Sequence, residues 1–155
     1  MPAYYLNKEY MNQIIGKGMS MEEPFILDTR DAKWKVNCVS GEDKINDSIR
    51  NILSTRVGER FFMPEFGSRL HLCLFEPNSL ICRDLIVHYT KEALSNWEKR
   101  IVVDKVTVSD IDDSNDVYIS IYYHFTNSNI YGSFVYPFNM SVDGELDYYK
   151  VMGSQ

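Results

Sequence analysis

The chain has 155 residues, 45% hydrophobic, 25% charged and 14% aromatic. That balance suits one folded domain of common size, with enough core to need no disulfide or metal staple. Sixteen Lys and Arg stand against twenty-two Asp and Glu, a net charge of -6, and the basic residues form only short patches, which argues against nucleic acid as the main partner. Cys38, Cys73 and Cys82 are odd in number and follow no CxxC spacing, so they read as buried free thiols of a reducing cytosol and not as a metal or redox centre.

The start carries no basic stretch followed by an apolar run, and no apolar run approaches the ~18 residues of a membrane span. A soluble, cytosolic protein is the expectation. Residues 1–15 are weakly periodic and read as an N-terminal arm. "PFILD" and "AKWKVNCVS" look extended, with Trp34, Val36 and Cys38 alternating with polar neighbours. "GEDKINDSIRNILSTRVGE" changes period: Ile45, Ile49, Ile52 and Leu53 fall on one face of a helix that Gly58 stops.

The next stretch, "GERFFMPEFGSRLHLCLFEPN", is broken by Pro64, Gly67 and Pro77. Asn78 or Ser79 would cap a second and longer helix, "SLICRDLIVHYTKEALSNWEKR", in which Ile81, Leu85, His88, Tyr89 and Trp97 follow helical spacing. Lys99 and Arg100 fall at its end, where cations suit the dipole. Three alternating segments then follow, "RIVVDKVTVSDI", "VYISIYYHFT" and "IYGSFVYPFNM", separated by "DDSND" and "NSN". Short turns between alternating runs predict an antiparallel meander. The fold class expected is α+β, two main helices packed on a small C-terminal three-stranded antiparallel sheet. Residues 16–142 form the domain and residues 143–155 a polar C-terminal tail.

The order "GER…PEFG…FEP…WE-x-RI", with "ILSTRVGER" closing a helix and "LFEPN" opening another, resembles the small baseplate-wedge proteins of contractile phage tails. The same family occurs in type VI secretion baseplates and related contractile injection systems, and is often labelled "lysozyme-like". The similarity runs from about Gly16 to about Met140. In that family the helix end carries Glu-Pro-Arg; here "WEKRI" keeps Glu98 and Arg100 and replaces the proline with Lys99. The resemblance implies that Glu98 and Arg100, with Trp97 beside them, join the chain to the baseplate wedge. It also implies that the protein starts the sheath: sheath subunits copy its fold and the first ring docks on it. The partners implied are wedge proteins and the sheath protein. No nucleic acid, membrane span, small-molecule substrate or cofactor is expected, and assembly would take place in the bacterial host cytosol.

Two readings of the connector compete. A glycoside hydrolase needs two carboxylates flanking a cleft, and Glu59 or Glu65 with Glu76 are the candidates for a peptidoglycan hydrolase. In the structural reading Glu59, Arg60, Pro64, Phe66, Gly67, Glu76 and Pro77 form a rigid connector. There Glu59 beside Arg60, and Glu65 near Arg69, make ion pairs, Arg60 ties the turn, and Phe61, Phe62 and Phe66 pin the loop to the core. The structural reading is preferred, because no sugar-cleft signature accompanies the glutamates and a fold label does not establish activity. His71, His88 and His124 lack paired metal spacing, and Cys73 and Cys82 lack a neighbouring His, so no metal, cofactor or catalytic residue is expected. In the third strand Pro137 cannot donate to a ladder and favours an edge. Tyr131, Phe134, Tyr136 and Phe138 would make that edge adhesive towards a sheath strand, and the acidic tail, with Asp143, Glu145 and Asp147, would keep it from pairing with itself.

Overall fold

The computed structural model describes residues 15–21, 23–30, 32–74, 76–77, 79–110, 116–126 and 130–139. The expected polar tail, and all of the expected arm except Ile15, lie outside them. The chain divides into two compact units, Met1–Ile49 and Arg50–Gln155.

The first unit contains two small antiparallel pairs. Strand β1 (Lys17–Met19) pairs with β4 (Cys38–Ser40), and β2 (Phe25–Asp28) pairs with β3 (Lys33–Val36). The extended reading of "PFILD" and "AKWKVNCVS" therefore holds, but the alternation there does not mark a buried face. In the β2–β3 hairpin Phe25 pairs with Val36 and Leu27 with Trp34, and all four side chains are exposed. The opposite face carries the Lys35–Asp28 ion pair. Cys38 is also exposed, so only Cys73 and Cys82 are the buried thiols expected.

Helix α1 (Glu42–Ser54) begins in the first unit and ends in the second. Glu42 and Asp43 occupy its first turn, where carboxylates suit the dipole. Ile45, Ile49, Ile52 and Leu53 are buried, as the spacing predicts. In the first unit Asp47 is buried too, and its carboxylate accepts the Met21 amide at 3.0 Å.

In the second unit a 3-10 turn (Leu70–Cys73) leads to helix α2 (Leu80–Trp97). Ser79 is the N-cap, its hydroxyl accepting the Cys82 amide at 3.2 Å. The helix is where expected, but its buried face is not. Cys82, Ile86, Thr90, Ala93 and Leu94 face inward, while Ile81, Leu85 and His88 are exposed. Leu80, Ile81, Leu85, Ile86 and Val87 spread apolar residues around the first two turns, so spacing alone does not choose between faces.

The sheet is the expected antiparallel meander, β5 (Ile101–Asp110), β6 (Asp116–Phe125) and β7 (Tyr131–Asn139), in the order β5-β6-β7. The fold is thus α+β. Central β6 alternates cleanly: Val117, Ile119, Ile121, Tyr123 and Phe125 are buried, and Tyr118, Ser120, Tyr122 and His124 point the other way. A bulge between Val103 and Lys105 shifts the β5–β6 register beside Asp104, whose carboxylate meets His124 Nδ1 at 2.9 Å. Gly132 lies opposite Tyr123, and a Cβ there would come within 2.6 Å of the buried tyrosine ring. The missing side chain is what lets that ring lie flat across β7.

Candidate functional site

Three features of the second unit carry the candidate residues: the connector between the helices, the end of α2, and the open edge of the sheet. The connector is held by backbone bonds more than by side-chain charges. Ser68 donates its amide to the Thr55 carbonyl at 2.9 Å and Val57 donates to Ser68 at 3.2 Å, closing a parallel bridge between Arg56 and Ser68. The buried Ser68 hydroxyl donates to the Leu53 carbonyl at 2.8 Å. Gly67 makes this approach possible: its φ is +116°, and a Cβ there would lie 2.3 Å from the Thr55 oxygen. Gly58 donates to the Pro64 carbonyl at 2.7 Å, which closes the base of the loop. Beyond it Ser79 donates to the Pro77 carbonyl at 2.7 Å and Glu76 to the Cys73 carbonyl at 3.3 Å.

The connector side chains depart from expectation in detail. Glu59 accepts the Arg56 amide at 2.8 Å. Arg60 lies 3.7 Å over the Phe66 ring and donates to the Asn51 side-chain oxygen at 3.2 Å. Arg69 is paired with Glu92, at 3.8 Å. Only Phe66 pins the loop: its ring packs against Trp97 with centroids 5.1 Å apart. Phe61 and Phe62 are not in the core. They are 90% and 93% exposed, because the turn at residues 60–63 projects both away from the bridge below it.

Glu98 and Arg100 meet each other. The Arg100 Nε donates to Glu98 Oε1 at 2.7 Å, the second nitrogen reaches Oε2 at 2.5 Å, and the Arg100 amide donates to the same carboxylate at 3.2 Å. The hydrogen bonds from Glu98 push the Arg100 guanidinium further above its usual range. Glu98 is only 3% exposed, whereas Arg100 remains one-third exposed. The same turn is stitched to β6 by Thr126, which donates its amide to the Arg100 carbonyl and its hydroxyl to the Lys99 carbonyl. Lys99, standing where the resemblance expects proline, donates its ammonium to the Ser95 carbonyl at 2.6 Å and satisfies one of the helix's last acceptors.

At the sheet edge, β7 pairs with β6 and with no other strand among the described residues. Phe125 donates to the Ile130 carbonyl at 3.0 Å. Carried along the register, this makes Tyr118–Pro137 a pair that exchanges no ladder bonds. Proline's missing N–H therefore falls on the open side, and the N–H groups of Tyr131, Ser133 and Val135 point there too. The four aromatics expected on this edge divide. Tyr136 and Phe138 face the core, 2% and 5% exposed. Phe134, of the same parity, lies under the Arg50 guanidinium at 5.7 Å. Tyr131 alone is exposed, and Val135 accompanies it. The period of two sends alternate residues to opposite faces, so a run of aromatics at even positions packs inward.

The carboxylates proposed for hydrolysis are all exposed, and Glu59 is engaged with a backbone amide. An open groove of about 330 Å³ does hold Glu65, with Arg69, Tyr89, Glu92, Asn96 and Trp97. Burial pushes the Cys73 thiol up to about 11, with the adjacent Cys82 adding to it, which makes Cys73 a poor nucleophile. Among the described residues no group of three or more metal-ligating side chains occurs, and no helix is long and apolar enough to cross a membrane.

Residues 39–129, more than half of the chain, match the sequence model of the family described as baseplate wedge protein gp25. The chain is 34% identical over 86 residues to baseplate wedge protein gp25 of Enterobacteria phage T4, a match spanning 56% of this chain and 64%, less than two thirds, of that relative. Among solved structures, it is 36% identical to a Geobacter sulfurreducens protein described as a candidate tail lysozyme, with a TM-score of 0.61 over 66% of this chain and 93% of the other. A chain of the post-contraction baseplate of pyocin R2 is 27% identical, with a TM-score of 0.52 over 65% of this chain and 97% of the other. A chain of the anti-feeding prophage baseplate shares the fold at 14% identity, with a TM-score of 0.58 over 87% of this chain and 94% of the other.

Proposed function

The chain belongs to the baseplate wedge protein gp25 family, and from that premise we propose that it is a structural component of the baseplate of a contractile injection machine. It joins the wedge through the end of α2 and nucleates the sheath on the open edge of β7, without covalent chemistry. It is built into the particle in the cytosol of the cell that makes it, as one domain over residues 16–142 flanked by an arm and a tail.

The observation that supports sheath nucleation is the open side of β7, where Tyr131, Ser133 and Val135 present backbone donors and Pro137 prevents continuation of a ladder. An added sheath strand would pair there, with Tyr131 and Val135 beside it. At the helix end, the exposed part of Arg100, with Trp97, faces the wedge, and buried Glu98 holds Arg100 in place. The test is Ser133→Pro. That change removes an N–H from the open side and leaves the ladder to β6 intact. Baseplates should still incorporate the chain, and sheath polymerisation on them should stop. Sheaths of normal length on the variant baseplate would remove this edge as the nucleation surface.

A second reading has one observation in its favour: the groove that holds Glu65 and Glu92, on a chain similar to a candidate tail lysozyme. Clearing of a peptidoglycan suspension by the purified chain, abolished by Glu65→Gln, would establish it. The structural reading expects no clearing above buffer.

A further inference from the structure

Phe61 and Phe62 are bare at the tip of a loop that is otherwise closely tied. Their rings meet edge to face with centroids 5.1 Å apart, and the two residues are 90% and 93% exposed, with Met63 half-exposed beside them. The loop beneath is closed by the Gly58–Pro64 bond at 2.7 Å, the Met63–Arg60 bond at 3.3 Å and the Phe66–Met63 bond at 3.0 Å. Its floor is the Arg60–Phe66–Trp97 stack. Two adjacent phenylalanines placed this way contribute nothing to the core and cost solubility, so folding does not account for them. Rigid aromatic side chains lose little entropy on binding and supply most of the energy where they anchor interfaces.

Glu59, Arg60 and Glu65 flank the tip, and both glutamates are exposed. Glu59 is bound to the Arg56 amide, and Arg60 to Asn51 and the Phe66 ring. The tip itself, Phe61 and Phe62 with Met63, is apolar, and it suits a concave apolar pocket. Phe66, at the floor of the same loop, packs on Trp97 at the helix end assigned above to the wedge.

We propose that Phe61 and Phe62 are the apolar anchor by which this chain seats in the wedge, inserted together into an apolar pocket of a wedge protein. This rests on the baseplate reading and deepens it: the anchor supplies the affinity, and Arg100 and Trp97 set the orientation.

The experiment co-expresses the full chain with the wedge proteins of the same source genome and measures co-purification and the dissociation constant. The variants are Phe61→Ser with Phe62→Ser, and a separate photo-crosslinking Phe62→p-benzoylphenylalanine. Both wild-type side chains are exposed, so the double variant should melt within about 2 °C of wild type. It should bind the wedge on the order of 100-fold more weakly, and the photo-crosslinker should attach to a wedge protein. Unchanged binding by the double variant would overturn the anchor and leave the baseplate reading standing. So would a crosslink only to a second copy of this chain, or a melting temperature lowered by ten degrees or more. Failure of the wild-type chain itself to bind any wedge protein would overturn the baseplate reading, and the anchor with it.

Discussion

Replacing Gly67 with alanine tests the connector at its tightest point. The new Cβ would stand 2.3 Å from the Thr55 oxygen, 2.9 Å from the Thr55 carbonyl carbon and 3.3 Å from that of Arg56. All three are backbone atoms, so no side chain can rotate away to make room. The conformation adds its own cost, since φ is +116° and a non-glycine residue there is strained by about 1–3 kcal/mol. Relieving the clash means opening the Arg56–Ser68 bridge, with the Ser68–Thr55 and Val57–Ser68 bonds weakened, each worth about 0.5–1.5 kcal/mol. The total is about 2–6 kcal/mol, and at about 2–4 °C per kcal/mol for a chain of this size the melting temperature should fall by roughly 10 °C. Gly58→Ala is the internal control. Its φ is also positive, +92°, but its Cβ would meet nothing within 4 Å, so only the conformational strain remains and the fall should be roughly 5 °C. Thermal unfolding followed by circular dichroism measures both. Equal shifts for the two variants would refute the close approach as the reason for glycine at residue 67.

Arg60→Ala removes the contact over Phe66 and the bond to Asn51, a loss of about 1–2 kcal/mol and a melting shift of about 2–8 °C; an unchanged melting curve would show that Arg60 does not hold the connector. Glu98→Ala should destabilise the isolated chain by about 1–3 kcal/mol, because it leaves the partly buried Arg100 without its carboxylate. The double variant Glu98→Ala with Arg100→Ala should cost less than the two single changes added together, and additive losses in denaturant melts would refute the coupling. Iodoacetamide at pH 8 should modify Cys38 alone, with Cys73 and Cys82 reacting only after denaturation; native labelling of all three at one rate would contradict their burial. The folded chain holds the Cys73 proton to about 11, against 9.0 for an ordinary thiol. Its contribution to stability is therefore present below pH 9 and lost as the pH rises through this window, which urea melts across the range would detect as a midpoint that falls more steeply in wild type than in Cys73→Ser, where buried Cys82, also raised, remains.

Along the sequence, what is local was legible. The 3.6-residue period of Ile45, Ile49, Ile52 and Leu53 located α1 and its buried face, and alternation interrupted by "DDSND" and "NSN" located the meander. Pro137 marked an edge strand because the absence of an N–H is a property of the residue itself. Gly67 and Pro64 marked a turn for the same kind of reason. The motif order from "GER" to "WE-x-RI" identified the family, which the match over residues 39–129 now shows.

Tertiary structure decided the direction in which side chains point wherever more than one face was apolar. Helix α2 has apolar residues around its first turns, so Ile86 and Cys82 rather than Ile81 and Leu85 went inward only once the helix had packed against β5 and the 3-10 turn. The aromatics of β7 all suit a strand, yet the register to β6 sent Tyr136 and Phe138 into the core and left Tyr131 outside. Phe61, Phe62 and Phe66 are chemically alike, and only the Gly58–Pro64 closure separates the one that pins the loop from the two that face solvent. Glu98 and Arg100 were legible as charges, but their pairing with each other depends on the turn stitched to β6 by Thr126. Composition and spacing set what each segment can become, whereas which face is buried depends on contacts between segments far apart in the chain, and no local period encodes those.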